Sequence, residues 1–147
     1  MPASPRAPKS SKRTLTKADY ETLAAFRYAL RRFLHFSEEA ATRAGLTPQQ
    51  HQALLAIKGF PGREQVTVGE LAEKLQIRHH SAVGLVNRLA REELVQREAA
   101  PGDLRKVNVS LTDSGMRVLE ELSASHAEEL RQVGPNVLAA LQKLISD

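Results

Sequence analysis

Five histidines, two of them adjacent, are the first residues in this chain to ask for chemistry. His79 and His80 stand together in RHHSAVGLVNRLAREELV, Arg78 to Val95, at the front of an apolar run. An imidazole can ligate a metal, act as a base, or hydrogen-bond a partner. Neighbours on a helix point about 100° apart, so these two rings do not readily converge on one ion, whereas i,i+4 spacing would allow it. His35, His51 and His126 are isolated in sequence; folding could gather two or three of them with a carboxylate, but no second ligand pair stands near His79. The chain has no cysteine, which removes thiolate sites, disulfides and thiol redox sensing. Catalysis has little to rest on: there is no Gly-rich phosphate loop, no GxSxG elbow and no HExxH. His80 beside Ser81 makes no dyad, because sequence neighbours do not meet across a helix. The chain is therefore expected to be no enzyme and to hold neither a metal nor a cofactor.

The stretch says more as a helix face. Ala82, Val83, Val86, Leu89 and Ala90 are expected on its buried side. The opposite side presents Ser81, Gly84, Arg88 and Arg91, flanked by His80 and Asn87. Hydroxyl, amide and imidazole groups can hydrogen-bond base edges or phosphates, and Gly84 would let a partner approach the backbone closely. A solvated polar face would look the same. Further on, Asp103 stands two residues before Arg105 at the tip of a predicted hairpin. An arginine on a projecting ribbon can enter a DNA minor groove, and a nearby carboxylate can hold its guanidinium. The alternative is an exposed ion pair of little energetic weight.

These residues need elements to place them. The spacing of Leu23, Phe26, Leu30, Phe33 and Leu34 predicts a long amphipathic helix from Thr16 to about Ala44, stopped by Gly45. LTPQQHQALLAIKG predicts a shorter helix with Thr47 as cap, Pro48 first, Ala53, Leu54 and Ile57 inward and Gly59 at its end. In TVGELAEKLQIRHHSAVGLVNRLA, a helix over Gly69–Leu75, a tight link at Gln76–Arg78 and a helix to about Glu92 form a helix-turn-helix, with small Ala72 permitting close approach. A short strand at Leu94–Arg97, a turn at AAPGD and the strictly alternating RKVNVSL predict a β-hairpin. Thr112 then caps a helix carrying Leu119, Leu122 and Leu130; Gly134-Pro135 is expected to break it, and Val137, Leu138, Leu141, Leu144 and Ile145 to form a last short helix.

The outer helices carry apolar stripes that the central unit does not cover, so burial against a second copy, a homodimer, is expected. Tyr28, Phe33 and Phe36 on the first helix could line a pocket or serve as core. The net charge is +4, and residues 1–34 hold eight Lys/Arg against Asp19 and Glu21, which is permissive for an anionic partner. Residues 1–15 read as a flexible basic tail and residues 16–147 as one domain. Without an apolar h-region or a membrane-length apolar run, a cytoplasmic protein away from membranes is expected.

In this order, LTPQQHQALLAI, TVGELAEKLQI, SAVGLVNRLAREELVQR and GDLRKVNVSLTDSG resemble the MarR family of winged-helix transcription regulators over roughly residues 20–145. The resemblance implies a mainly α fold with a small β-hairpin wing: a winged helix-turn-helix lobe over 46–111, flanked by dimerisation helices over 16–45 and 112–147. It implies a homodimeric repressor on double-stranded, pseudo-palindromic operator DNA, often released by a small aromatic or phenolic effector between the dimer helices and the DNA-binding lobe. By resemblance, Arg105 enters the minor groove, Asp103 positions it, and His80, Ser81, Gly84 and Arg88 lie along the major-groove face. Gly84 departs from the longer polar side chain of many relatives, and the absence of cysteine excludes the thiol-based peroxide sensors. Two alternatives stand beside this reading: a winged-helix module for protein contact, and a metal-responsive regulator using histidines.

Overall fold

The computed structural model describes residues 13–146, so the expected tail over 1–15 lies almost wholly outside the described residues. Helix α1 runs Lys17–Arg43, α2 Pro48–Lys58, β1 Gln65–Thr67, α3 Val68–Leu75, α4 His79–Arg91, β2 Val95–Ala100, β3 Asp103–Leu111 and α5 Asp113–Ile145. The boundaries are set by local chemistry. Thr16, Thr47 and Thr67 each accept from the amide three residues on, and the side chains of Asp19, Gln50 and Glu70 return the bond to the cap amide. Pro48 opens α2, where its missing N–H costs nothing. After α1 the chain turns at Gly45 with φ +82, a conformation that glycine adopts without strain.

α2, α3, α4 and the sheet enclose the main core, whose largest fully buried side chains are Leu54, Ile57, Leu71, Leu85, Leu89, Val66, Val86 and Val109. Strand β3 lies between β1 and β2, antiparallel to both. The central position of β3 explains its strict alternation, since Val109 faces the core while pairing with Val66 on one side and Arg97 on the other. The predicted hairpin is thus the larger part of a three-stranded sheet. Three-residue β1 had no periodicity to reveal it; its pairing with β3 exists only once the chain has folded back. Strand β2 runs to Ala100 rather than Arg97, and the turn contracts to Pro101-Gly102, with Gly102 at φ +79.

The expected break at Gly134-Pro135 does not occur. α5 is one helix through Pro135. A proline leaves the carbonyl four residues back, that of Arg131, without its helical partner. Arg131 is exposed, so water can take that carbonyl. On the other side Val133, Val137, Leu138 and Leu141 share an apolar groove with Ala29, Leu30 and Phe33 of α1. Packing along a neighbouring long helix outweighs one lost hydrogen bond. Much of this stripe is uncovered in the single chain: Leu30, Leu34, Leu130, Leu138 and Ile145 are all exposed. Among the described residues no helix is long and apolar enough to cross a membrane.

Candidate nucleic-acid interface

The turn between α3 and α4 is made by Gln76, a left-handed residue at φ 54, with the amide of Ile77 donating to the Ala72 carbonyl at 3.0 Å. Ala72 is buried, as its small size suggested. Helix α4 begins without a side-chain cap on Arg78, which leaves its first amides for solvent or an anionic partner. Its inward face is Ala82, Leu85, Val86 and Leu89. Here the sequence reading needs correction: Leu85 belongs inside and Val83 outside. The wing explains the shift. β2 and β3 stand beside α4, so Val83 is drawn into the wall of the cleft between helix and wing rather than into the core.

His80, Ser81, Arg88 and Arg91 are exposed on the outer face, and Gly84 is half-buried among them. A Cβ added to Gly84 would meet nothing within 4 Å. No packing demand inside the chain therefore calls for glycine there, and the missing side chain leaves open space on the surface.

The wing departs from the expected arrangement in one bond. Asp103 Oδ1 accepts from the backbone N–H of Arg105 at 3.0 Å, rather than from its guanidinium. With only one residue between them, the carboxylate closes easily on the main chain, as Asp does in turns. Asp103 thus shapes the ribbon, and the exposed Arg105 side chain extends from it.

Between α4 and the wing lies a concave cleft of about 690 Å³, lined among others by His79, Asn87, Arg97, Arg105 and Lys106. Arg97 Nη1 donates to Asn87 Oδ1, tying β2 to α4 through an uncharged partner and so keeping its positive charge. On the far wall Arg63 is neutralised. Its guanidinium forms a two-pronged pair with Glu70, whose carboxylate also accepts from the Thr67 amide. The Arg63 bond first, and then the Thr67 amide, hold the Glu70 carboxyl down at about 2. The unneutralised charge in the cleft is therefore that of Arg97, Arg105 and Lys106. Sequence reasoning missed Arg97 and Lys106. Arg97 and Lys106 occupy outward positions of strands, a weak signal, and the Arg97–Asn87 bond spans a helix end and a turn.

The aromatic residues divide. Phe33 and Phe36 pack edge-on against His126 at 5.9 and 5.5 Å between ring centroids, whereas Tyr28 is exposed with Arg32 5.9 Å above its ring. His35 pairs with Glu39 at 3.1 Å on the surface. His51 and His126, far apart in sequence, come into contact. Among the described residues no group of three or more His, Cys, Asp or Glu side chains could hold a metal ion.

A helix-turn-helix whose second helix is flanked by an antiparallel ribbon defines a winged helix-turn-helix protein. The chain matches the MarR family model over residues 44–106. It is 32% identical over 68 residues to the transcriptional regulator YsmB of Bacillus subtilis, covering 46% of this chain and 47% of that protein. It is 33% identical over 96 residues to the transcriptional repressor NicR of Pseudomonas putida, covering 65% of this chain and 59% of NicR. The chain thus spans about half the length of the curated relatives it matches. In overall fold it is similar to AbsC, a MarR family transcriptional regulator from Streptomyces coelicolor, with a TM-score of 0.72 at 21% identity over 92% of this chain and 94% of AbsC.

Proposed function

We propose that this protein is a dimeric, sequence-specific DNA-binding regulator of transcription, acting as a repressor. The observation that carries the reading is the cleft. It separates the exposed polar face of α4 from Arg105 on the wing, and its unneutralised charge is positive. Neighbouring grooves of a duplex are separated by one sugar-phosphate strand. A helix in the major groove and an arginine in the adjacent minor groove must straddle that strand, and a concave basic surface between them fits it. In this reading His80, Ser81, Gly84 and Arg88 face base edges, Arg105 enters the minor groove, Asp103 fixes the ribbon that carries it, and Arg97 and Lys106 meet phosphates.

The uncovered stripe on α1 and α5 supports pairing with a second copy, which would set two recognition helices against a pseudo-palindromic operator. Repression follows the likeness to NicR, a transcriptional repressor. Release by a small aromatic effector belongs to the same reading, and a ligand selective for the free form would reveal itself by raising the melting temperature. Such a regulator would work in the cytoplasm.

The test is an anisotropy titration with duplex from the flank of its own coding region against a scrambled duplex, over a range of salt. Specific binding is expected, with Arg105→Ala weakening it and lowering the salt slope by about one counterion. Equal retention of both duplexes at low salt would favour the protein-contact module instead. An unchanged slope in the variant would remove Arg105 from the interface.

A further inference from the structure

The DNA-binding lobe and the long helices meet at two histidines for which the interface has no use. His51, one turn into α2, is buried, and its ring centroid lies 4.8 Å from that of His126 on α5, with the planes tilted by 43°. His126 in turn joins α5 to α1. Its Nδ1 is 2.6 Å from the Leu122 carbonyl and its Nε2 is 2.7 Å from Ser37 Oγ. A carbonyl only accepts, so Nδ1 carries a proton; in the neutral ring Nε2 then accepts from the Ser37 hydroxyl. With Phe33 and Phe36 packed on its edges, His126 is held by three elements and touches the one histidine of α2.

The surroundings favour an uncharged His51. Burial first, and then the neighbouring His126, keep its imidazole below the ordinary histidine range. The acidic groups on the packed elements are engaged or turned to the surface. On α1, Glu39 pairs with His35 and Glu38 is exposed. On α5, Glu129 borders the surface groove beside Phe36. At the end of α4, Glu92 accepts from Gln50 Nε2 at 2.9 Å, one residue before His51. A proton arriving here places a cation in a largely apolar joint, and a second proton sets two like charges about one ring-width apart.

We propose that His51 and His126 form a proton-operated joint: protonation breaks the ring contact that seats α2 against α1 and α5, and so loosens the DNA-binding lobe from the dimerisation helices. α2 shares its core with α4 through Leu54, Ile57, Leu85 and Leu89, so the recognition helix moves with it. In a dimer the two recognition helices must match a spacing of about one duplex turn, and loosening either joint weakens operator binding. This last consequence rests on the DNA-binding reading; the joint itself does not.

The sign of the effect separates it from the interface histidines. Charging His79 or His80 against DNA would tighten binding as pH falls, whereas charging the joint weakens it. Three measurements are made on the full chain between about pH 7.5 and about pH 5.5, a range bracketing the ordinary histidine pKa: thermal melting without DNA, imidazole proton NMR titration, and operator affinity. For the wild type, the melting temperature should fall on acidification, His51 should titrate below the ordinary range, and operator affinity should drop about tenfold for each pKa unit by which DNA binding depresses His51. His51→Gln and His126→Gln should each flatten both the melting and the affinity profiles. Either variant retaining the wild-type pH profile overturns the joint, as does titration of His51 at the ordinary histidine value. If a variant fails to fold, the NMR titration of the wild type decides. If no duplex is bound specifically at any pH, the DNA-binding reading fails, and the melting and NMR profiles still decide the joint.

Discussion

Gly115→Ala should be among the most damaging single-methyl changes in this chain. Thr112 caps α5 by accepting from the Gly115 amide at 3.1 Å, while its hydroxyl donates to the Glu93 carbonyl at 2.6 Å and its own amide to the Leu94 carbonyl at 3.1 Å. The first turn of α5 is thereby pressed onto the backbone that joins α4 to the wing. A Cβ on Gly115 would stand 2.1 Å from the Leu94 carbonyl oxygen and 3.0 Å from its carbon. A normal C···O contact is about 3.3 Å, so the two segments must separate by on the order of 1 Å. Both are backbone, and no rotamer change relieves them. Glu93, next to the contact, is already held at φ 60. Overpacking that moves backbone costs about 3 kcal/mol, against which alanine's better helix propensity returns at most about 1 kcal/mol. A net loss of about 2 kcal/mol lowers the melting temperature by roughly 4–8 °C at this chain length. Circular dichroism melts at one fixed protein concentration, needed because the proposed dimer would add to stability, measure it. A melting temperature unchanged or raised in the variant would refute the close approach.

Gly84→Ala should do the opposite to stability. Its added methyl meets nothing within 4 Å, so the helix gains up to about 1 kcal/mol while operator affinity falls; a destabilised variant in the same melting assay would contradict the open space. Glu70 is held at about 2, below the 4.5 of an ordinary glutamate, so the unfolded chain binds more protons between those values and stability falls as pH drops through that window. Urea midpoints taken at about pH 6 and about pH 3 should show this fall, and Glu70→Gln should reduce it; an identical acid slope in the variant would mean that the Arg63 pair is broken in solution. Leu138→Glu puts a charge on the exposed stripe of α5 and should shift sedimentation from dimer to monomer at micromolar concentration, whereas a wild type already monomeric there would remove the dimer.

The local chemistry of this chain is written residue by residue. Thr16, Thr47 and Thr112 mark helix starts, Gly45 and Gly59 mark stops, and the alternation of RKVNVSL marks a strand, because caps, turns and pleats are decided within a few residues. The ordered run of motifs was enough to point to the winged helix and to the outer face of α4. Long-range contacts decided the rest. Pro135 stays inside α5 because a neighbouring helix packs along the flanking residues, a fact absent from any local window. Val83 and Leu85 exchange places because the wing occupies one side of α4. Arg97 reaches Asn87 across a turn, and β1 exists only as a partner of β3. The histidines make the contrast sharpest. His79 and His80, adjacent in sequence, both sit at the exposed start of α4, while His51 and His126, which nothing in the sequence connects, meet ring to ring. Sequence spacing fixes which way neighbouring side chains point along one element; only the packing of elements decides which distant side chains share a site.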